Sequence, residues 1–296
     1  MLFRSVRLEW NPALYAVSPS VEEVGIENLA IEFPPQQYAG HHIEPGFNAI
    51  AFEGVRNCWA RHLRITNADS GIFFRERTKF TTASDLLFTA DKSRLRTGYG
   101  SDSGESRTLA VGGHHGILFD GFSQDNLVEN FNFEVRFLHD IGVSAWSAGN
   151  VYSNGRGLDM DFDHHRRAPY ENLFTELQAG EGTRLWENGG DLSDGPPSGA
   201  RETFWNIQTV REQSLPDWAV EGNFVGVKES SADKLLRAAK DMARGITGGD
   251  GTAVGNWWDA AEPGKIIPEN IYIAQRDRRK NTMAVHHAPP TQTSAK

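Results

Sequence analysis

Between Leu158 and Asp163 apolar and acidic residues alternate without a break: Leu158, Met160 and Phe162 against Asp159, Asp161 and Asp163. A period of two predicts a strand with one apolar face and one wet, acidic face. Two histidines and two arginines, His164 to Arg167, follow at once. They sit where the strand gives way to a loop, a common place for chemistry.

Short apolar segments of this kind recur, each followed by turn residues, an Asn or a stand-in, and a second apolar segment. The series runs through Asn57, Asp85, Asn126, Asn150, Asn172 and Thr203, corner positions 28, 41, 24, 22 and 31 residues apart. A base period in the low twenties with insertions predicts a β-solenoid, whose stacked windings bring like positions into ladders. The asparagines are expected to form such a ladder at a tight corner. Cys58, Leu86, Leu127, Val151, Leu173 and Phe204 are expected as an interior stack. Trp59, Tyr152, Phe174 and Trp205 should pack the flanks of the corner, with a sugar platform as the lesser alternative.

Insertions at 34–47, 92–113 and 187–200 are expected to be cleft-forming or mobile loops. After Val210 the repeat fades. Leu235, Leu236, Ala239, Met242 and Ala243 share one helical face, and Gly245 follows as a stop. A helix over 231–244 is therefore expected to cover an open sheet edge. Residues 248–255 read as a loop, 266–273 as a last strand or short helix docked by Trp257 and Trp258, and 276–296 as a frayed tail. The expected division is a solenoid over 1–225 and a cap with tail over 226–296.

Composition narrows the partners. With 39% apolar residues the 296-residue chain can bury a sizeable core. A net charge of −9 disfavours nucleic acid and anionic membrane as partners. No apolar run approaches the ~20 residues that cross a bilayer. The single cysteine, Cys58, leaves no internal disulfide, so redox chemistry does not fix the compartment. The stretch Met1 to Arg7 has no apolar segment after its charge and does not read as a secretory signal. Because the repeat is already under way at Val24, the chain is expected to lack its true N-terminus, and to be a secreted or periplasmic monomer.

Candidate chemistry centres on the acidic row and its neighbours. Asp159, Asp161 and Asp163 begin like a calcium loop, but the sixth-place glycine and twelfth-place glutamate are missing, which excludes an EF-hand. Carboxylates two apart on a strand lie ~6.5–7 Å apart at the backbone, within the ~6.5–9.5 Å of an inverting glycosidase. A calcium site or a solvated face accounts for them equally well. Eight of the ten histidines form the pairs 41/42, 114/115, 164/165 and 286/287. Neighbours on a strand point to opposite faces, so at most one of each pair should serve one site. His114 or His115, His139, and His164 or His165 should converge if their windings stack in order. Zinc has no close i, i+4 pair or cysteine to support it, and strand-end hydrogen bonding is the plainer role for any single histidine. Arg166, Arg167, Arg184 and Arg201 can grip carboxylates, either a substrate's or those of Asp159, Asp161, Glu187 and Glu202.

The segments Gly113-His114-His115-Gly116, Asp163 to Asn172 and Gly199 to Asn206 resemble bacterial pectate-lyase-like proteins. With the low-twenties period and the Asn column, Val24 to about Val210 resembles the pectate lyase superfamily. That resemblance implies an all-β, right-handed parallel β-helix, here with a short C-terminal helical cap, and polysaccharide bound along an outer sheet. It further implies a lyase in which an Arg, Lys or His base takes the proton α to a uronate carboxyl group, while Ca2+ or cationic side chains neutralise that group. The expected reaction is β-elimination with His164, His165 or an adjacent arginine as base and His139 close by. Arg166, Arg167, Arg184, Arg201, His115 and Glu187 would hold the polymer. Two alternatives stand beside it: an inverting hydrolase using Asp159 and Asp161, and a noncatalytic carbohydrate-binding module. The absence of strict polygalacturonase motifs weighs against the hydrolase.

Overall fold

The computed structural model describes residues 9, 11, 13, 16–97, 109–219, 221–232, 235, 258–259 and 261–286. Its strands, in chain order, are β1 (Val21–Glu22), β2 (Gly25–Glu32), β3 (Asn48–Glu53), β4 (Val55–Arg56), β5 (Trp59–Thr66), β6 (Ser70–Arg75), β7 (Thr82–Thr89) and β8 (Gly113–Phe119). They continue as β9 (Leu127–Phe133), β10 (Phe137–Val143), β11 (Val151–Gly157), β12 (Phe162–His164), β13 (Leu173–Gln178), β14 (Thr203–Gln208), β15 (Asn223–Val227) and β16 (Trp258–Asp259). A helix, α1, spans Ile271–His286.

The strands form three sheets, and every pairing between them is parallel. One has five strands in the order β12-β10-β8-β6-β3, one has nine in the order β16-β15-β14-β13-β11-β9-β7-β5-β2, and one pairs β1 with β4. Single parallel bridges from Arg56 through Lys79, Gln124 and Ala148 to Tyr170 extend the smallest sheet. The chain thus alternates between the two large sheets, and sequence-distant strands become neighbours.

This corrects the expected fold class. The strands make three separate sheets of two, five and nine strands, unequal in extent, and not one regular series of like windings making an all-β, right-handed parallel β-helix. The segment after residue 226 is also more than a short cap. It adds β16 to the largest sheet and carries the 16-residue α1. Ahead of α1, Asn270 Nδ2 donates to Ser153 Oγ and Glu176 Oε2, so the helix is anchored to β11 and β13. The tail expected from 276 onward is helical as far as His286. The helix expected over 231–244 lies, beyond its first residues, outside the described residues, as does the loop expected at 248–255.

The register explains the core. Ile50, Ile72, Ile117, Ile141 and Phe162 form one column of the five-stranded sheet, and Phe52, Phe74, Phe119, Val143 and His164 the next. Opposite them stand Ala60, Ala83, Val128, Tyr152, Phe174, Phe204 and Phe224 of the nine-stranded sheet. Rings meet across the gap, with Phe119 4.7 Å from Tyr152 and Phe162 5.3 Å from Phe174. Each fully buried aromatic contributes about 1.5–3 kcal/mol of transfer free energy. Cys58, Leu86 and Phe204 lie in the core as expected, whereas on β9, β11 and β13 the core position falls one residue later. Leu127, Val151 and Leu173 are half-buried, while Tyr152 and Phe174, expected at the flanks, are core.

Two columns of polar residues shape the turns. Asn126 Nδ2 donates to Asn150 Oδ1 at 2.9 Å, Asn150 Nδ2 to Asn172 Oδ1 at 2.9 Å, and Asn172 Nδ2 to Glu202 Oε1 at 2.8 Å. The ladder thus passes to Glu202 and not to Thr203, and below it Thr81 N donates to Asn126 Oδ1. Asp85 belongs to a second column, Asn28, His62, Asp85, Asn130, Asn154, Glu176 and Asn206, all with positive φ. At each of these both paired strands of the large sheet leave one residue unpaired while the register on either side stays matched, so the left-handed positions stack from strand to strand.

Candidate active site on the five-stranded sheet

Adjacent strands β8, β10 and β12 bring His115, His139 and the Asp161–His165 segment side by side, with His115 and His139 in register. The 34–47 loop adds His41 and His42. The rings form one continuous patch: His114 and His115 stack at 4.0 Å, His115 and His139 at 5.1 Å, and His139 meets His165 edge-on at 5.9 Å. His41 lies 4.4 Å from His114. Both members of the pairs 41/42 and 114/115 join the patch, contrary to the strand-alternation rule, because His42 has φ 65° in a loop and the 114/115 rings stack on each other. The pair 164/165 does divide as expected. His164 is fully buried against Phe174, Phe204 and Trp218, and His165 is partly exposed.

The acidic row is not a wet face. Asp159, Asp161 and Asp163 are all buried, whereas Leu158 is exposed. Only Phe162–His164 pair as strand, because the preceding residues turn to meet the 179–185 segment: Met160 N donates to Ala179 O and Phe162 N to Leu185 O. Each carboxylate is held differently. Asp159 accepts from Thr183 N at 2.9 Å and Thr183 Oγ1 at 2.5 Å, a structural clasp that removes it as a catalytic acid or base. Asp161 Oδ2 faces His139 Nδ1 at 3.2 Å, and its Oδ1 is buried without a hydrogen-bond partner. Asp163 accepts from His165 Nδ1 at 3.0 Å and Gly189 N at 2.7 Å, with His139 Nδ1 at 3.5 Å. A side chain at Gly189 would come within 2.6 Å of His165 Nδ1, so the 187–200 loop can close on the pair only with glycine there.

These surroundings set the protonation states. Burial, then the charge of Glu187, pushes Asp161 well above the ordinary carboxylate range, against the pull of Arg184. Burial would raise Asp163 too, but the His139 charge and the bond from His165 hold it below that range. Burial lowers His139 to about 4, so at neutral pH it is uncharged and the bonds from His165 and Gly189 hold Asp163 ionised. The bond to Asp163 raises His165, outweighing its partial burial. His115 is pushed well down by burial and then by its histidine neighbours.

The arginines are less available than expected. Arg184 is buried and donates to Leu138 O, Phe137 O and Asp159 O at 2.7, 2.9 and 3.0 Å and to Asp140, clamping β10 to the turn before β12. It therefore does not reach a substrate. Arg201 pairs with Glu171 at the surface. Arg166 donates to Gly189 O and leans on the 187–190 loop, and Arg167 pairs with Asp194 at 2.9 Å. The aromatics open to solvent were not those expected. Phe122 and Trp146 are 42% and 41% exposed and stack at 4.8 Å, with Arg77 over Phe122 and Arg167 over Trp146. A cleft of about 390 Å³, lined by Val17, Arg56, Arg77, Lys79 and Phe122 among others, borders this stack and not the histidines. Among the described residues no helix is long and apolar enough to cross a membrane. Comparison with protein-family models, curated proteins and solved structures finds no match to this chain.

Proposed function

We propose that this protein cleaves an extracellular, uronate-containing polysaccharide by β-elimination, with His165 as the base and Asp163 as the carboxylate that positions it. The observation that carries the reading is the 3.0 Å contact between His165 Nδ1 and Asp163 Oδ2 on a half-exposed imidazole. Asp163 fixes the tautomer with the proton on Nδ1 and leaves Nε2 as acceptor, the arrangement a histidine base needs. Neutral Nε2 takes the proton on the carbon α to the uronate carboxyl group. The bond from the neighbouring carbon to the departing sugar oxygen breaks as a carbon–carbon double bond forms, and the oxygen takes up a proton from solvent water.

The Phe122–Trp146 stack supports a sugar polymer as substrate, because flat apolar sugar faces pack on exposed rings. Arg77 and Arg167 beside it suit the carboxylates of an acidic chain. The reading keeps the resemblance to pectate-lyase-like proteins and takes His164, Asp159 and Arg184 out of the reacting groups. A second reading, inverting hydrolysis, draws on the opposite displacements of Asp161 and Asp163, a pattern typical of acid and base partners. Incubation with pectate, alginate and glycosaminoglycans separates the readings. Ultraviolet absorbance from unsaturated uronate, lost in His165→Ala, is the expected result. New reducing ends without absorbance would favour hydrolysis, and retention of glycan with no product would leave a binding module.

A further inference from the structure

We infer that His41, His42 and His114 form a binding site for one divalent transition metal of the zinc class, with Glu44 and Tyr38 behind it. The inference stands on a part of the patch that the elimination does not use, and it holds whether or not that reaction does. One ligand nitrogen from each of the three histidines lies within 4.8 Å of the others. The rings of His41 and His42 are 3.7 Å apart, and that of His114 lies 4.4 and 5.9 Å from them.

Three observations favour a metal over a plain histidine cluster. His114 Nδ1 lies 3.0 Å from Glu44 Oε1, which also accepts from Tyr38 Oη at 2.8 Å. This carboxylate–histidine pair assigns the ring proton to Nδ1 and leaves a lone pair on Nε2, the usual support behind a ligating imidazole. His114 Nε2 is buried with no hydrogen-bond partner, a cost that a bound cation would remove. His42 has a left-handed backbone, φ 65°, which costs energy in a residue with a side chain and here turns two consecutive imidazoles to one side.

The loop is also held to its geometry. Tyr38 N donates to Arg94 O, Gly46 N and Phe47 N both donate to Asp69 Oδ2, and Asp69 is paired with the buried Arg94. Such backing keeps ligands in place without the metal. The second cluster, His139, Asp163 and His165, is different, because its members already satisfy one another with hydrogen bonds. Three imidazole nitrogens suit Zn2+, Co2+ or Ni2+ and leave an open coordination position, whereas Ca2+ wants oxygen ligands.

The test uses the full chain stripped with chelator, then titrated with Zn2+ by calorimetry and with Co2+ by visible absorbance. One equivalent of Zn2+ should bind, Co2+ should develop ligand-field bands that Zn2+ bleaches, and Zn2+ should raise the melting temperature. His114→Ala and His41→Ala should each abolish binding, and Glu44→Gln should weaken it by about 10–100-fold. His165→Ala should bind as the unsubstituted chain does. His41 lies on a loop, so its variant serves where His114→Ala does not fold. Absence of Zn2+ binding by the unsubstituted chain would overturn the inference. So would binding that survives His41→Ala but is lost in His165→Ala, which would place the ion on the other cluster.

Discussion

The molecule buries two polar arrays, and they are built on opposite rules. Along the nine-stranded sheet, Asn126, Asn150 and Asn172 pass hydrogen bonds from one to the next. Their amide groups also reach Thr78 O, Ser123 O and Ser147 O. At the end of the five-stranded sheet, six imidazoles and two carboxylates crowd together with His114 Nε2 and Asp161 Oδ1 left unpaired. In the second array several groups are driven far from their ordinary protonation. The asparagines satisfy one another and stabilise the fold, with Glu202 Oε2 at the ladder's end the one ladder oxygen left without a hydrogen-bond partner, whereas unpaired, mutually perturbed groups cost stability and persist where chemistry or binding uses them. The contrast assigns structure to one array and function to the other.

The contrast breaks if substitutions in the two arrays behave alike. The largest expected effect is on turnover: His165→Ala should lower the elimination rate by about 10²–10⁴-fold, the usual worth of a general base, with little change in melting temperature. Progress curves at saturating polymer and a thermal melt check both halves. Asn150→Ala should do the reverse. It takes the acceptor from Asn126 N and one of the two from Asn126 Nδ2 in the core and should cost about 1–3 kcal/mol of stability. Denaturant unfolding would show it, while activity per folded molecule stays unchanged.

A pH profile sharpens the comparison further. The base must be neutral, and Asp163 raises His165 above its ordinary value. The rate should therefore rise with pH through an inflection above about 6.5. Asp163→Ala removes the hydrogen bond that is the main cause of that rise, so the inflection should move down the pH axis. An inflection that stays in place would mean that some other group titrates.

The same physics explains what could be read in the chain. The period of Asn126, Asn150 and Asn172 located the ladder correctly, because identical residues at 24 and 22 residues apart repeat a local geometry. Asp85 misled, since its left-handed backbone lies inside a strand, whereas the ladder asparagines come just after the left-handed Asp125, Gly149 and Glu171. The convergence of His115, His139 and His165 was legible from their order in the chain. The alternation from Leu158 to Asp163 predicted a strand with a wet acidic face, but only Phe162–His164 pair as strand and all three aspartates are buried. The 179–185 segment covers the acidic face, and its carboxylates are met by Thr183, His139, Gly189 and His165, mostly from other segments. His41, His42 and Glu44 lay in a loop without periodicity, and no spacing ties Glu44 to His114, 70 residues further along the chain. The adjacency of the histidine pairs was the one available signal, and strand geometry argued against using both members.

The smallest expected effect concerns the rim of the site. Trp146 and Phe122 present stacked, half-exposed rings on the turns that follow β10 and β8. If these rings carry the polymer, Trp146→Ala should weaken binding by about 0.5–1.5 kcal/mol, roughly 2- to 12-fold, which is the scale of one aromatic contact. The loss should fall on KM and leave kcat alone, because Trp146 does not touch the reacting atoms. Phe122→Ala should act in the same direction. The double variant should lose less than the sum, since each ring partly supports the other and contacting residues do not add. Glycan affinity measured by titration on the His165→Ala background isolates this term from turnover. Full additivity would mean that the two rings act as separate platforms, and unchanged affinity would leave the stack as packing between turns.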